Sequence, residues 1–429
     1  MTDIYSDGSI FDNYGDDIHP NRFNRVMNGL KAKRQHVRLT HNPSSVEPGQ
    51  KLLVRFPNLG IDDVIVPGSF YISGKLKVTS AKDKARYIVN NVSRKLIKTL
   101  KIRFEGNEVL SIDNYDVLKG YFDLFLSKHE KAKRVYQGIQ PANGLKLRVE
   151  SNGATGTANE TAIKTTLGNR FMIPIDFELL KDIGPYYQAG IGDKLEVELT
   201  FNDTSAVIFG STATLAAASD SDYNYQFSDI KTEWDQITDK NLANAMHSRY
   251  QMLALPFKRY LYHQTKVINK TDSVINLSLN IPSKSLTHIF ILAIDPDDRK
   301  KYAHNETFKN LDIKKATVTI EGSPNQLFSS GMLKEDTWVE IDKLFPNEHE
   351  VTLGEFLTSK YAFCLDLRPS IDHRLHGSGI RLENTAEGMT LQIERTPATS
   401  GDGKLNLMIF LIQDAQLNIQ DGRFHSIEY

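Results

Sequence analysis

The sequence contains a single cysteine, Cys364, among 429 residues. One thiol cannot form an intramolecular disulfide, and a secreted chain of this length usually carries several cysteines. The segment Met1–Asp17 is acidic and polar and lacks the apolar run of a signal peptide. No stretch approaches the roughly 20 apolar residues that a membrane-spanning helix needs. We therefore expect a protein that is made and folded in a reducing, soluble compartment and is not secreted through the signal-peptide route.

An excess of charge of either sign is also missing. The chain has 52 Lys and Arg residues against 53 Asp and Glu residues, for a formal net charge of −1 at pH 7. This balance argues against a uniformly basic nucleic-acid-binding protein, although a local basic segment is still possible. Hydrophobic residues make up 40% of the chain, which is enough to form buried cores. The length indicates two or three domains.

The first 45 residues predict an N-terminal arm rather than a domain. Five aspartates come first, followed by a stretch over residues 22–38 without acidic residues that contains Arg22, Arg25, Lys31, Lys33, Arg34 and Arg38. Such a tail is typically solvated and is often ordered only by a partner. Two interpretations stay open: a frayed terminus, or an arm that lies on neighbouring subunits or faces nucleic acid.

From residue 51 onward, short segments rich in β-branched and aromatic residues predict strands separated by turns and loops. In the first half these segments are Lys51–Phe56, Ser69–Val78, Leu100–Phe104, Val109–Ile112, Arg170–Phe177, Lys194–Phe201 and Tyr225–Trp234. In the second half they are Val267–Ile268, Val274–Ile281, His288–Ile294, Ala316–Ile320, Tyr361–Leu367, Met389–Ile393, Leu405–Ile412 and Ala415–Ile419. The sequence Glu105-Gly106-Asn107 predicts a tight turn.

Few segments depart from this strand pattern. Asp116–Lys133 has apolar residues near helical spacing and predicts a helix. Residues 150–168 and 210–222 are polar and rich in small residues, which predicts surface loops. Residues 238–249 lack a strand pattern and predict the connection between two lobes.

The two series of strands resemble each other in their order and in their patterns of apolar and charged residues. KTLKIRFEGN (98–107), RFMIPIDFEL (170–179), DKLEVELTF (193–201) and SDIKTEWDQI (228–237) correspond to KKATVTIEGS (314–323), YAFCLDLRP (361–369), GMTLQIERT (388–396) and QDAQLNIQD (413–421). Many short strands joined by uneven loops favour Greek-key sandwiches. We predict an all-β chain of two tandem antiparallel jelly rolls, a double jelly roll with short helices in its loops. The arm spans residues 1–45, the first jelly roll 46–240 and the second 241–429.

Groups that could carry chemistry each have a simpler structural interpretation. The alternating segment around Cys364 predicts a buried core thiol. His373 and His376, near Asp366 and Asp372, lack the His-x-His spacing of a jelly-roll metal site. Asp295-Pro296-Asp297-Asp298 predicts a turn or helix cap rather than a calcium loop. The sequence His376-Gly377-Ser378-Gly379 is not accompanied by a nucleophile or a triad order. It predicts a turn that requires the backbone freedom of glycine.

The remaining candidates also indicate structure. Glu196 and Glu198 alternate with Leu195, Val197 and Leu199, which predicts a solvated face over a core. Trp234 and Trp338 predict core or interface anchors. The chain has neither a nucleophile elbow nor a phosphate-binding loop motif. No catalytic, cofactor-binding or metal residue is therefore assigned, and we predict a protein that is not an enzyme.

Several motifs carry a family resemblance. In the first half these are Asn90-Asn91 with Arg94, Leu96 and Ile97, then Leu100–Gly106, Tyr115–Leu126 and Gly138-Ile139. In the second half they are Asp366-Leu367-Arg368, His376-Gly377-Ser378-Gly379, Leu382-Glu383-Asn384, Gln413–Ile419 and Gly422-Arg423-Phe424. Over roughly residues 50–429 the chain resembles the double jelly-roll major capsid proteins of Polinton (Maverick) elements and adintoviruses.

That resemblance implies a structural role in a virion. Three copies would form a capsomer with pseudo-sixfold shape, and many capsomers would tile an icosahedral shell around double-stranded DNA. Expected partners are further copies of the chain, a single-jelly-roll penton protein, and packaged DNA through the basic stretch 22–38. Assembly in the host nucleus or cytoplasm would follow.

Two alternatives come from other classes. Jelly rolls also form carbohydrate-binding and carbohydrate-cleaving proteins, which should show exposed aromatic platforms or paired carboxylates in a groove. A nucleic-acid-binding protein that uses residues 22–38 should bind with a steep dependence on salt.

Overall fold

The structure, a computed structural model, describes residues 33–80, 86–139, 148–151, 158–159, 170–181, 186–209, 223–299, 306–320, 323–324, 331–347, 349–369, 378–382, 388–399 and 403–429. The first half contains strands β1 (Lys33–Thr40), β2 (Ser45–Val46), β3 (Lys51–Arg55), β4 (Asp63–Ile65), β5 (Tyr71–Ser80), β6 (Arg86–Ile88), β7 (Ile97–Phe104), β8 (Asn107–Asp113), β9 (Arg148–Ser151), β10 (Ala158–Asn159), β11 (Arg170–Pro174), β12 (Leu195–Phe201), β13 (Ile208–Phe209) and β14 (Tyr223–Thr238).

The second half contains strands β15 (Met252–Asn269), β16 (Val274–Ser278), β17 (Ser283–Ile294), β18 (Ile313–Ile320), β19 (Ser323–Pro324), β20 (Phe363–Asp366), β21 (Ile380–Leu382), β22 (Met389–Arg395), β23 (Lys404–Gln420) and β24 (Arg423–Glu428). The α-helices of the described residues are α1 (Val92–Lys95), α2 (Tyr115–Leu124), α3 (Lys128–Lys133), α4 (Glu178–Lys181), α5 (Thr204–Val207), α6 (Lys240–Tyr250), α7 (Pro296–Arg299), α8 (Lys334–Leu344) and α9 (Leu353–Ser359).

The first lobe is a sandwich of two antiparallel sheets. One has the order β1-β14-β5-β11, with β2 and β4 also paired to β14, and the other has the order β3-β12-β7-β8. Phe201 of β12 lies 5.7 Å from Phe227 of β14, ring centroid to ring centroid, so the sheets pack face to face. A small third sheet, β10-β9-β6-β13, completes the lobe.

The second lobe repeats the strand order of the first. Its sheets are β15-β23-β17-β20, with β21 on β17 and β24 on β23, and β16-β22-β18-β19. Each of the four segment pairs predicted from the sequence occupies an equivalent position, namely β7 with β18, β11 with β20, β12 with β22, and β14 with β23. The chain is therefore a tandem pair of antiparallel jelly rolls, as the sequence predicts.

Part of the predicted arm lies on the first lobe. Residues 33–40 form β1, which pairs antiparallel with β14 from Lys33 opposite Thr238 to Thr40 opposite Lys231. Every β1 side chain except the half-buried Val37 is exposed, so the sequence gives no apolar alternation to predict a strand there. Residues 1–32, with most of the basic stretch 22–38, lie outside the described residues.

Other local predictions can be compared with the structure. The predicted helix Asp116–Lys133 is divided into α2 and α3, because Ser127 caps α3 by accepting a hydrogen bond of 3.2 Å from the Glu130 amide. The turn at Glu105-Gly106 is confirmed, since both residues have positive φ, 44° and 87°. Residues 240–250 form α6, which joins the lobes. The predicted loop 210–222, and 150–168 apart from β10 and the end of β9, lie outside the described residues.

Candidate functional site

The two lobes meet at α2, whose aromatic side chains leave the first lobe and pack into the second. Tyr121 lies 5.4 Å from Phe290 of β17 between ring centroids, and Phe125 stacks on Phe345 at 4.4 Å. The buried Tyr121 hydroxyl donates a hydrogen bond of 2.8 Å to the Lys360 carbonyl. These aromatic side chains bury a large apolar area, and the Tyr121 hydroxyl has a hydrogen-bond partner. The helix α2 therefore connects one lobe to the other.

A second connection involves the C-terminal hairpin of β23 and β24. The Gly192 amide donates to the Gly422 carbonyl at 2.6 Å, and the Phe424 amide donates to Asp193 Oδ2 at 2.8 Å. Gly422 has a φ of 68°, and a Cβ there would lie 2.5 Å from the Gly190 carbonyl oxygen. Glycine is therefore required at this position, inside the sequence block Gly422-Arg423-Phe424.

A buried ionic cluster supports α2 from within the first lobe. Arg94, 3% exposed, donates from Nε to Asp123 Oδ2 at 2.9 Å, and its guanidinium also contacts Asp176 and the Tyr115 hydroxyl. The Asn91 side-chain amide donates to the same Asp123 oxygen at 2.7 Å. Two carboxylates therefore share one buried cation.

The ionisation of this cluster follows from its contacts. Burial alone would raise the pKa of Asp176, but Arg94 and Lys119 outweigh it and hold that pKa well below its usual value. Burial opposes the charge of Arg94 as well, yet Asp123 and Asp176 raise the pKa of Arg94 well above its usual value. Arg94 and Asp176 are therefore fixed in their charged forms near neutral pH, and their contacts position α2.

Three basic residues of β1 are engaged within the chain. Arg34 pairs with Asp235, and Arg38 Nε lies 2.9 Å from Glu233 Oε2. Between them, His36 contacts both carboxylates, with Nδ1 2.8 Å from Asp235 Oδ1 and Nε2 3.1 Å from Glu233 Oε2. These three side chains bind β1 to β14.

The structure places the other candidate residues as follows. Cys364 is fully buried in β20, and burial raises its pKa, which confirms the prediction of a core thiol. Trp234 is a core residue, 1% exposed. Asp295 caps α7 by accepting a hydrogen bond of 3.0 Å from the Asp297 amide. His373, His376 and Asp372 lie outside the described residues.

The turn after His376 requires glycine because of a close backbone approach. A Cβ on Gly379 would lie 2.2 Å from the Leu286 carbonyl oxygen. The Ser378 hydroxyl and amide both donate to Asp414, so Ser378 is held in a structural contact and is not placed as a nucleophile.

The prediction of a solvated face for Glu196 and Glu198 is wrong in part: their alternation with core residues holds, but Glu196 is half-buried and Glu198 is 8% exposed, because both pair with arginines of neighbouring strands. Leu195, Val197 and Leu199 are fully buried, whereas Glu196 pairs with Arg55 and Glu198 with Arg103, each at 2.7 Å. Within the described residues, no group of three His, Cys, Asp or Glu side chains is arranged to hold a metal ion. No helix in this part of the chain is long and apolar enough to cross a membrane.

The sequence did not identify the lobe junction as a site. Tyr121, Phe122 and Phe125 fall on one apolar stripe of the helix, which a helix packed on its own sandwich would also show. The stripe faces the second lobe instead, where Phe122 contacts Tyr260 of β15 at 5.8 Å between ring centroids.

Comparison with known proteins gives the fold a context. No family model and no curated protein matches the chain. The Faustovirus major capsid protein aligns with a TM-score of 0.63 at 8% identity, covering 91% of this chain and 91% of that one. PBCV-1 VP54, fitted into a reconstruction of the virophage Sputnik, aligns with a TM-score of 0.61 at 10% identity, covering 95% and 99%. The mavirus major capsid protein aligns with a TM-score of 0.54 at 12% identity, covering 95% and 94%. At these identities the similarity shows a shared double jelly-roll fold.

Proposed function

We propose that this chain is a major capsid protein, a shell subunit that acts through protein–protein contacts and not through catalysis. The observation that carries the proposal is the pair of lobes with one strand order, fastened by α2 and by the C-terminal hairpin. A rigid unit with two similar lobes suits a shell that must present similar contacts in several directions.

Three chains of this kind would form a pseudo-hexameric capsomer. A closed trimer uses the same heterologous contact three times, and two lobes per chain give six similar corners. Capsomers of this shape tile an icosahedral shell. We divide the chain at residues 45 and 240 into an N-terminal segment, whose residues 33–40 add β1 to the first lobe, and two jelly rolls.

The finer assignment rests on the sequence resemblance. We infer a protein of the Polinton (Maverick) and adintovirus type, located in the virion and assembled in the host nucleus or cytoplasm. Its partners would be further copies of itself, a single-jelly-roll penton protein at the vertices, and enclosed double-stranded DNA. The residues of 22–38 that precede β1 are the inferred DNA contact.

The test is the mass of the purified protein in solution, measured by light scattering after size-exclusion chromatography over a range of concentrations. The chain mass is 48.5 kDa. We expect a compact species of three chains or larger shell-like particles, visible by negative-stain electron microscopy. A monomer that persists at high concentration would contradict the proposal, and a glycan-binding screen would then test the carbohydrate alternative.

A further inference from the structure

A cavity of about 350 Å³ lies between the two lobes. Its first-lobe wall includes Lys95, Asn114 and Asp116, and its second-lobe wall includes Arg299 and Asn406. Sites for small molecules usually measure roughly 300–1,000 Å³ and contain a few placed polar groups. The cavity therefore has the size and the lining of a small-molecule site, and both lobes contribute to it.

Lys95 is the unusual member of this lining. Its side chain is 6% exposed, and among the described residues no carboxylate lies within ion-pairing distance of its Nζ. The Nζ atom packs against α2, 3.2 Å from where a Cβ on Gly120 would lie. Burial lowers the pKa of Lys95, with partial opposition from Asp116. Burial disfavours the charged form of an amine that has no ion-pair partner among the described residues, and a bound anion would restore that charge.

The nearest cavity carboxylate is already engaged. Asp116 Oδ2 accepts hydrogen bonds from Arg299 Nη2 at 2.6 Å and from Asn202 Nδ2 at 3.0 Å. Arg299 is one-third exposed and has five N–H donors, so it keeps donors for a ligand. Glu306 also acts on Lys95 through space, but it does not line the cavity, and it accepts a hydrogen bond of 3.3 Å from Asn90.

The N-terminus of α2 also borders the cavity, and the one carboxylate of its first turn, Asp116, is bonded to Arg299. This ten-residue helix begins at Tyr115, and its cap residue Asn114, which lines the cavity, makes no side-chain capping hydrogen bond. Free amide groups and the helix dipole at such an end favour anions. Lys95, Arg299 and a helix N-terminus therefore meet at one half-open space, in which Asp116 is the carboxylate already bonded to Arg299.

We propose that the cavity binds a phosphate-type oxyanion between the lobes, held by the Lys95 ammonium, the Arg299 guanidinium and the N-terminus of α2. This site does not depend on the proposed capsid role. A ligand that both lobes hold would stabilise the junction that α2 forms.

The experiment titrates inorganic phosphate into the full-length protein by calorimetry, in chloride buffer of matched ionic strength. Calorimetry is preferred to a thermal shift, because phosphate stabilises most folded proteins through exclusion from their surface. We expect saturable binding that the Lys95→Met variant weakens roughly tenfold or more, since it removes a charged donor. The Lys98→Met variant, which removes an exposed lysine three residues away, should bind as the unmodified protein does.

A second variant keeps the test decisive if Lys95→Met fails to fold. Ala206 of α5 lines the cavity and is only partly buried, so Ala206→Asp places a carboxylate in the wall without disturbing the core. That carboxylate should repel phosphate and abolish binding. Absence of phosphate binding in the unmodified protein, or binding in both cavity variants as tight as in the unmodified protein, would overturn the proposal.

A competition experiment distinguishes free phosphate from the phosphate groups of a nucleic-acid backbone as the natural ligand. A short single-stranded oligonucleotide that displaces phosphate in a Lys95-dependent manner assigns the group to a nucleic-acid backbone, whereas failure to displace it assigns the site to free phosphate. Light scattering on the same samples reports assembly. A change in phosphate binding at constant mass therefore bears on the cavity alone, and a monomeric mass with intact binding bears on the capsid proposal alone.

Discussion

The Tyr121 hydroxyl, on a helix of the first lobe, donates a hydrogen bond of 2.8 Å to the Lys360 carbonyl in the second lobe. The Tyr121 ring is fully buried and contacts Phe290 and Phe308, both from the second lobe. The first lobe therefore completes part of the core of the second. Two sandwiches joined in this way should unfold together and not independently.

The first prediction tests that coupling. Each lobe contains one tryptophan, Trp234 in β14 and Trp338 in α8. In each of the variants Trp234→Phe and Trp338→Phe, we expect the remaining tryptophan's fluorescence and the circular dichroism of the whole chain to give the same urea midpoint. In that background Tyr121→Ala should lower the free energy of unfolding by roughly 3–5 kcal/mol, because it leaves a cavity at the junction. Tyr121→Phe should cost only about 1 kcal/mol, the value of one hydrogen bond.

The control is Tyr136→Phe, an exposed tyrosine, which should leave both midpoints unchanged. A fluorescence midpoint that differs from the circular dichroism midpoint within one single-tryptophan variant would show that the lobes unfold independently and would contradict the coupling.

The second prediction concerns Arg94. Replacing it with methionine leaves the buried Asp123 and the partly buried Asp176 without their shared cation, and we expect a loss of roughly 3–5 kcal/mol in the free energy of unfolding. Arg94→Lys should rescue only part of this loss, because an ammonium cannot reproduce the planar set of guanidinium donors.

Lys101→Met is the matched control. It removes a partly exposed partner of Glu108 at 3.1 Å and should cost at most about 1 kcal/mol in urea denaturation. Equal losses for the two methionine variants would contradict the structural role of Arg94.

The elements that the sequence predicted well depend on local properties of the chain. Leu195, Val197 and Leu199 alternate with charged residues, and strand geometry places alternate side chains on opposite faces. The turn at Glu105-Gly106 likewise needs only residues that tolerate positive φ. The repeated strand order was predictable because the same local patterns recur in the second lobe.

The elements that escaped prediction depend on distant partners. His36 of β1 bonds to Asp235, which is 199 residues away, and no pattern within β1 indicates that pairing. The interlobe cavity draws Lys95 from α1 and Arg299 from α7, and one sequence does not show which charged residues end up beside each other. Contacts that close long loops are set by the packing of whole sheets and not by local propensity.

The third prediction follows from the burial of His288, which is 4% exposed. Burial lowers its pKa to about 4, while the unfolded chain titrates near ~6.5. Between these two values the unfolded state binds more protons, so stability should fall as the pH is lowered from 6.5 to 4. The loss attributable to His288 amounts to roughly 3 kcal/mol below that window.

Urea denaturation from pH 7 to pH 4 checks this expectation. The stability difference between unmodified protein and His288→Gln should shift in favour of the variant as the pH falls. His425→Gln, a change at an exposed histidine of β24, should follow the unmodified protein. A difference between the unmodified protein and His288→Gln that stays constant across the range would contradict the effect of burial.

The last prediction concerns the attachment of β1. Hydrogen bonds to Asp235 and then Glu233 raise the pKa of His36 above its ordinary value. A histidine whose pKa is raised by folding contributes its stabilisation fully below the unfolded value of ~6.5, and this contribution is lost as the pH rises through the folded value. The strand β1 should therefore hold to β14 more firmly at mildly acidic pH than at alkaline pH.

An NMR titration of the His36 imidazole should give a midpoint above 6.5. The variant Asp235→Asn should move this midpoint down toward 6.5, whereas Asp113→Asn on β8 should leave it unchanged. Amide exchange at Val37 and Leu39, corrected for the intrinsic rate, should accelerate through the same midpoint, because these amides belong to the paired strand. A His36 midpoint at or below 6.5 in the unmodified protein would show that the two carboxylates do not hold the charged ring, and β1 would then depend on backbone pairing and the two arginines alone.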